Sequence, residues 1–256
     1  MELNRRQFIV LSGAALATLA VPLRVLARES KAVPVLLYHD ISNQHHDPYT
    51  ISPSLFAAQL EWLYEAGYRA VTIGEACAAP PGEHERLVAL TFDDGYASFV
   101  NYALPLCHAY GFSATIAVIG NLVGRFMERE GRRPMLSWDE YRYLVADGTV
   151  EVACHTFALH SMAALSSPTT AGLAADLSLF QQTVERELGK KAAVLAWPYG
   201  IYRPEWVEVA RRAGFSYLLT SNEGLLSGNN DCSAVPRLAI GNKLDLISFQ
   251  QYLGGH

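Results

Sequence analysis

The stretch Thr91-Phe92-Asp93-Asp94-Gly95 decides how the chain is read. It closes an apolar run, Leu87-Val88-Ala89-Leu90, with the character of a strand in a buried parallel sheet. Two carboxylates then stand side by side at the strand's carboxyl end, and Gly95 lets the chain turn. Barrel enzymes place their chemistry at that end. Adjacent residues on a regular strand face opposite sides. At a strand-to-loop junction both can reach one cleft, so one carboxylate can hold a metal while its neighbour acts as a base. Taken alone, Asp-Asp-Gly is an ordinary turn, and the functional reading needs partners elsewhere in the chain.

Working outward, apolar strands alternate with amphipathic helices. Val33–Tyr38 reads as a strand ending in His39-Asp40. Ser52 and Pro53 open a helix that Gly67 ends. A helix over roughly Phe99–Tyr110 precedes the strand Ala114–Ile119. Ser137-Trp138-Asp139-Glu140 is a capping box. The strand Thr149–Ala153 is followed by His155, and the helix Thr169–Leu188 by the strand Ala193–Trp197. The strands Phe215–Thr220 and Val235–Ile240 and a helix over Leu244–Tyr252 complete the series. Seven or eight β/α units with polar residues after the strands predict an α/β fold, a single-domain distorted (β/α)7–8 barrel. A doubly wound open sheet is the alternative. There is no Gly-rich phosphate loop to suggest a nucleotide site.

The chain has 256 residues, 50% of them hydrophobic, enough for one substantial core. A formal charge of −5 argues against a nucleic-acid-binding surface. Asn4-Arg5-Arg6-Gln7-Phe8 precedes a weakly polar apolar run to about Pro22, and Val25-Leu26-Ala27 offers a small-residue cleavage site. This layout predicts a signal peptide over residues 1–27, with the twin-arginine pattern, and a catalytic domain over 28–256. A membrane anchor is the alternative. The leader carries three Arg and one Glu, so its removal takes the charge from −5 to −7. The expected location is the periplasm or the exterior, where disulfides are permitted. Cys77, Cys107, Cys154 and Cys232 allow three full pairings, and none has CxxC spacing.

His155-Thr156-Phe157-Ala158-Leu159-His160 is the second informative stretch. Two histidines five apart do not share a face of a regular helix. At a strand end running into a helical turn they can converge, and with Asp94 they make a His-His-carboxylate set. Three protein ligands with open positions is the plan of a catalytic metal site. His39 is placed to protonate a leaving group. Tyr199, in Trp197-Pro198-Tyr199-Gly200, sits in a tight turn whose backbone N–H can face an oxyanion. Standing alone, these two would read as a core histidine and a packed tyrosine. Trp138 and Trp206 are candidate sugar platforms, with core packing as the plain alternative.

Together these residues resemble the polysaccharide deacetylases of the NodB-homology group, carbohydrate esterase family 4. Thr91–Gly95 matches its TFDDG motif, and His155 and His160 its metal-histidine motif. Tyr38-His39-Asp40 is similar to the early catalytic histidine of the branch that de-N-acetylates poly-β-1,6-N-acetylglucosamine in biofilm systems. The resemblance spans roughly residues 33–240. It implies a NodB-type barrel, one divalent metal ion (zinc foremost, with nickel, cobalt or iron as alternatives) and an acetylated polysaccharide substrate. An exopolysaccharide export machinery is the implied partner. By the same resemblance Asp93 is the base, Asp94, His155 and His160 bind the metal, His39 is the acid and Tyr199 lends its N–H. The family's usual motif has an arginine that holds the base, and Trp197 stands in that region here. Arg237, in Val235-Pro236-Arg237-Leu238, is the candidate replacement, and a surface arginine the alternative. Other acetylated glycans, peptidoglycan among them, are alternative substrates. A non-catalytic carbohydrate-binding domain would need no such set of residues.

Overall fold

The strands form where apolar runs can be covered on both faces. In the computed structural model, which describes residues 32–78, 86–166, 168–227 and 232–254, seven strands join β4 (Tyr68–Val71) in an eight-stranded parallel sheet, and β2 (Asp40–Ile41) pairs with β3 (Thr50–Ile51) apart from it. Their order is β11 (Tyr217–Leu219), β10 (Val194–Ala196), β9 (Val150–Cys154), β6 (Ala114–Val118), β5 (Arg86–Phe92), β1 (Val35–Tyr38) and β12 (Leu238–Ala239). Ala89 is in register with Val35 on one side and with Val71 of β4 (Tyr68–Val71) on the other. β4 and β6 therefore share one edge of β5, as a lower and an upper half. A single parallel bridge, Leu219 with Val235, links β11 to the segment entering β12. The sheet thus curls into a distorted barrel with one thin seam, and the expected α/β barrel is the fold observed.

Period-two alternation sorts the strand residues into two cores. Val88, Leu90 and Phe92 of β5 point outward against the helices, with Ile116, Val118 and Trp197. Leu87 and Ala89 point inward, with Val35, Ala117, Ala153, Val194 and Ala196. Four of these inward residues are alanines, so the barrel interior is narrow. Continuing each inward column past the strand end brings Asp93 after Thr91, His155 after Ala153 and His39 after Leu37. The chemistry of the site is thus the top layer of the barrel's own interior.

Helices pack outside. Helix α1 (Pro53–Glu65) is capped by the Ser52 hydroxyl, which accepts from the Leu55 N–H, and buries Phe56, Leu60 and Leu63. Helix α2 is Ile73–Ala78. The expected helix over 99–110 is divided. A π-helical turn, Phe99–Ala103, precedes helix α3 (Leu104–Tyr110), because Pro105 has no N–H to continue the regular ladder into the preceding turn. Helix α4 (Trp138–Asp147) carries the predicted Ser137–Glu140 capping box. Helices α5 (Met162–Leu165) and α6 (Thr170–Leu188) follow β9; α7 (Pro204–Arg212) and α8 (Leu246–Gly254) complete the set.

Two strand features depart from the sequence expectation. The strand expected over 235–240 is reduced to the two residues of β12 plus the Val235 bridge. An unanticipated antiparallel hairpin, β7 (Phe126–Glu128) with β8 (Arg132–Pro134), stands beside the barrel mouth. Trp206 is buried at 1% exposure against Trp197, and Trp138 packs on Tyr141. Trp206 is a core aromatic and Trp138 packs half-buried against the core, the plain reading of both, and neither lines the cavity described below. All four cysteines are free thiols; Cys107 and Cys154 are buried. The expected leader over 1–27 and the loop at 80–82 lie outside the described residues.

Candidate metal centre and active site

Asp93 follows β5 and extends its ladder by one bond, its N–H donating to the Tyr38 carbonyl at 2.9 Å. Asp94 leaves it with a φ of 74°, a left-handed conformation that turns the chain so both carboxylates enter one cavity. Gly95 follows at φ 91°, and a Cβ there would meet the Tyr141 hydroxyl at 2.4 Å. The other strand ends repeat the device: Thr156, after His155, has φ 66°, and Tyr199 has φ 56°. Non-glycine residues seldom adopt this region, and they collect where a site over-determines the backbone.

His155 is fixed twice. Its N–H donates to the Val118 carbonyl at 2.8 Å, and its Nδ1 lies 2.9 Å from the Ala196 carbonyl. A carbonyl only accepts, so Nδ1 carries the proton and Nε2 presents its lone pair to the cavity. Nε2 is 3.6 Å from Asp94 Oδ1, and His160 Nε2 is 3.1 Å from the same oxygen. Burial pulls the His155 pKa down to about 4, which keeps it a neutral imidazole, the form a metal requires. Asp94 is pushed up by burial but held well below the carboxylate range by the His160 hydrogen bond and the histidine charges.

The Asp94, His155 and His160 donor atoms lie within 4.8 Å of one another. Asp94 Oδ2 is buried without a hydrogen-bond partner. Two imidazole nitrogens and an orphaned carboxylate oxygen are a donor set that fits a divalent ion.

Asp93 has a different partner. Arg237, 1% exposed, donates from both terminal nitrogens to the two Asp93 oxygens, each at 2.8 Å. Its Nε donates to the Thr220 carbonyl at 2.7 Å, which locks the fork. Burial alone would raise the Asp93 pKa; the guanidinium reverses this and holds it below the usual range. Arg237 comes from the segment entering β12, two strands from Asp93 across β1.

His39 is half-buried in the same cavity, with its ring 5.0 Å from that of Tyr49. Burial lowers its pKa, and the two aspartates partly offset that. The Tyr199 ring stacks on His160 at 5.1 Å. Every residue expected at the site from the sequence therefore lines one cavity of about 490 Å³: His39, Asp93, Asp94, His155, His160, Tyr199 and Arg237.

A family model described as polysaccharide deacetylase matches residues 81–218, more than half of the chain. The chain belongs to the polysaccharide deacetylase family. Among its relatives, the poly-β-1,6-N-acetyl-D-glucosamine N-deacetylase of Staphylococcus aureus strain N315 is 24% identical over 220 residues, covering 83% of this chain and 75% of the relative. The enzyme of the same name in Escherichia coli strain K12 is 23% identical over 253 residues, and the match covers 84% of this chain but 38% of that longer protein. Among solved structures, IcaB from Ammonifex degensii superposes with a TM-score of 0.75 at 28% identity, covering 88% of this chain and 97% of that one.

The deacetylase cavity also contains residues that sequence reasoning did not reach. Tyr49 and Arg129 line it. Asp176 of α6 accepts from the backbone N–H groups of Phe157 (2.7 Å) and Ala158 (2.8 Å), pinning the loop between the two histidines. Arg133, 1% exposed, donates to Asp47 at 2.5 Å and to Asp40 at 3.3 Å, clamping the β7–β8 hairpin to the loop after β1. In the sequence Tyr49, Arg129 and Arg133 sit in polar stretches without periodicity, and Asp176 is one of several polar residues in the helix expected over 169–188. The Asp of Tyr38-His39-Asp40 was the only local hint.

Proposed function

We propose that this family member is a metal-dependent N-deacetylase of an N-acetylglucosamine-containing exopolysaccharide of the poly-β-1,6-linked kind, releasing acetate. The observation that carries the reading is the convergence of two differently served carboxylates in one cavity. Asp94 faces two histidine nitrogens, and Asp93 is held by Arg237. The names of the Staphylococcus aureus and Escherichia coli relatives support the substrate class.

Asp94, His155 and His160 would hold the ion. A divalent ion there supplies Lewis acidity, polarising the acetamide carbonyl and easing loss of a proton from water. Asp93, kept anionic and oriented by Arg237, accepts that proton. The Tyr199 backbone N–H supplies a donor to the oxyanion. His39 protonates the departing amine; burial weakens its hold on a proton, which makes its charged form a stronger acid toward the nitrogen. An amide is inert and its amine a poor leaving group, so both proton transfers are needed. Export through a twin-arginine leader to the periplasm or exterior, beside an exopolysaccharide export machinery, is part of this reading.

The test is metal analysis coupled to acetate release from N-acetylglucosamine oligomers. Asp94→Ala loses metal and activity together. Asp93→Asn keeps the metal and loses about 10²–10⁴-fold in turnover. Full turnover by metal-free protein overturns the proposal.

A further inference from the structure

Two of the four cysteines meet at the closed end of the barrel. Helix α2 leaves β4 and crosses beneath the next strands. The Ile73 N–H donates to the Thr115 hydroxyl of β6 at 3.0 Å, and the Gly74 N–H to the Glu151 carboxylate of β9 at 3.1 Å. The helix, which carries Cys77, then packs on β11. The segment entering β12 lies along the same strand. The Leu218 N–H donates to the Cys232 carbonyl at 2.8 Å, the Val235 N–H to the Leu218 carbonyl at 2.8 Å, and the Thr220 N–H to the Val235 carbonyl at 2.9 Å.

Cys77 and Cys232 therefore reach β11 from two segments far apart in sequence. Both pack on the inward-facing core of Val35, Ala153, Val194 and Leu219, together with Tyr217. The Cys77 thiol is hydrogen-bonded to that of Cys232. Each of the two is partly exposed, whereas Cys107 and Cys154 have no exposed surface. From this contact the sulfurs need only close to about 2 Å to make a bond of ordinary length.

We propose that Cys77 and Cys232 form a disulfide, and that this bond fastens the floor of the barrel to the segment that carries Arg237. One cysteine thiolate attacks the disulfide of an exchange catalyst or of oxidised glutathione, forming a mixed disulfide and releasing one thiol. The second cysteine then displaces the other thiol, so one S–S bond forms, one breaks, and both cysteine protons end on the departing thiols. Burial, and after it the hydrogen bond to Cys232, raises the Cys77 pKa, so the uncatalysed exchange is slow near neutrality. Such a bond persists in an oxidising compartment. Cys232 stands three residues before Val235 and five before Arg237. The bond thus stiffens the thin seam, bridged by Leu219 with Val235, that leads to the Asp93 clamp. The inference goes beyond the deacetylase reading and depends on neither metal nor substrate.

In the experiment the purified chain is reduced, then held with excess oxidised glutathione at about pH 8.5, near the ordinary thiol pKa. Thiols titrated in denaturant should fall from four to two, with a mass lower by two hydrogens and no glutathione attached. Digestion without reductant should leave the Cys77 and Cys232 peptides joined. The oxidised chain should melt about 5–10 °C above the reduced one, because the bond closes a long loop. Its acetate release at room temperature should equal that of the reduced chain and survive several-fold longer at the reduced chain's melting temperature. Cys77→Ser and Cys232→Ser should each abolish the difference between oxidised and reduced forms, and Cys107→Ala should keep it. The comparison is made within each variant, so the cost of the substitution itself cancels. Four titratable thiols after oxidation, glutathione retained on either cysteine, or a bond to Cys107 or Cys154 overturns the pairing. A Cys77–Cys232 bond that leaves melting and heat inactivation unchanged overturns its role at the seam. A chain that releases no acetate overturns the deacetylase reading alone, since thiol count and melting still decide this inference.

Discussion

The two ends of the barrel interior treat a carboxylate in opposite ways. Glu151 and His155 both belong to the face of β9 that looks into the barrel. At the closed end Glu151 accepts from the Thr115 hydroxyl at 2.9 Å and the Gly74 N–H at 3.1 Å, and burial raises its pKa. At the open end Asp93, which follows β5, is buried more deeply than the half-buried Glu151 but meets Arg237, and its pKa falls. Neutral donors satisfy hydrogen bonds without cancelling the desolvation of charge; a guanidinium does both. Burial therefore makes a carboxylate a structural acceptor at one end and a poised anion at the other.

Removing Arg237 should break this difference most severely. Arg237→Met leaves Asp93 buried and unpaired, with an expected loss of about 3–5 kcal/mol in urea unfolding. It should also move the acid limb of the pH–rate profile upward, because Asp93 then protonates at higher pH. An unchanged acid limb would mean that Arg237 does not tune the base.

A smaller effect is expected from Asp176→Asn. One of two N–H acceptors on the histidine loop becomes a donor, which should cost about 1–3 kcal/mol and weaken metal affinity more than it changes kcat at saturating metal. Metal titration followed by turnover separates the two.

The smallest effect is expected at the closed end. Glu151→Gln keeps an oxygen to accept from Thr115 and Gly74, so stability at acidic pH should change by less than about 1 kcal/mol and kcat not at all. The sign of its pH dependence sharpens the contrast. A raised folded pKa makes the Glu151 contribution strongest at low pH, weakening as pH rises from the unfolded value of about 4.3 through the folded one. A lowered folded pKa, as at Asp93, makes the contribution present above about 3.9 and lost as pH falls through the folded value. Urea melts across pH should therefore show Glu151→Gln gaining on the parent as pH rises. A parallel pair of curves would contradict the raised pKa.

What the sequence displayed was local. Thr91–Gly95 and His155–His160 each pack motif, strand end and turn into six residues or fewer, so their match to the family's motifs conveyed a convergence for which the spacing of the histidines alone is weak evidence. Arg237 was legible only as a replacement for a missing arginine, because its meeting with Asp93 depends on β12 lying beside β1. Arg129, Arg133 and Asp176 were not legible, since each acts across packed elements, and the hairpin that carries two of them shows neither alternation nor a strong turn signal. The Val235–Ile240 strand was overread for a physical reason: its apolar residues are buried by the seam, with little regular pairing.

That seam ties Asp93 to the thinnest joint described in the sheet. Val235 bridges β11, and two residues later Arg237 grips Asp93. Opening the joint should withdraw the arginine before Asp94, His155 and His160 move, so activity should be lost on warming while that cluster still keeps its capacity to hold a divalent ion. Amide hydrogen exchange at Thr220 and Val235, whose N–H groups donate across the seam, would serve as the clock for that loss.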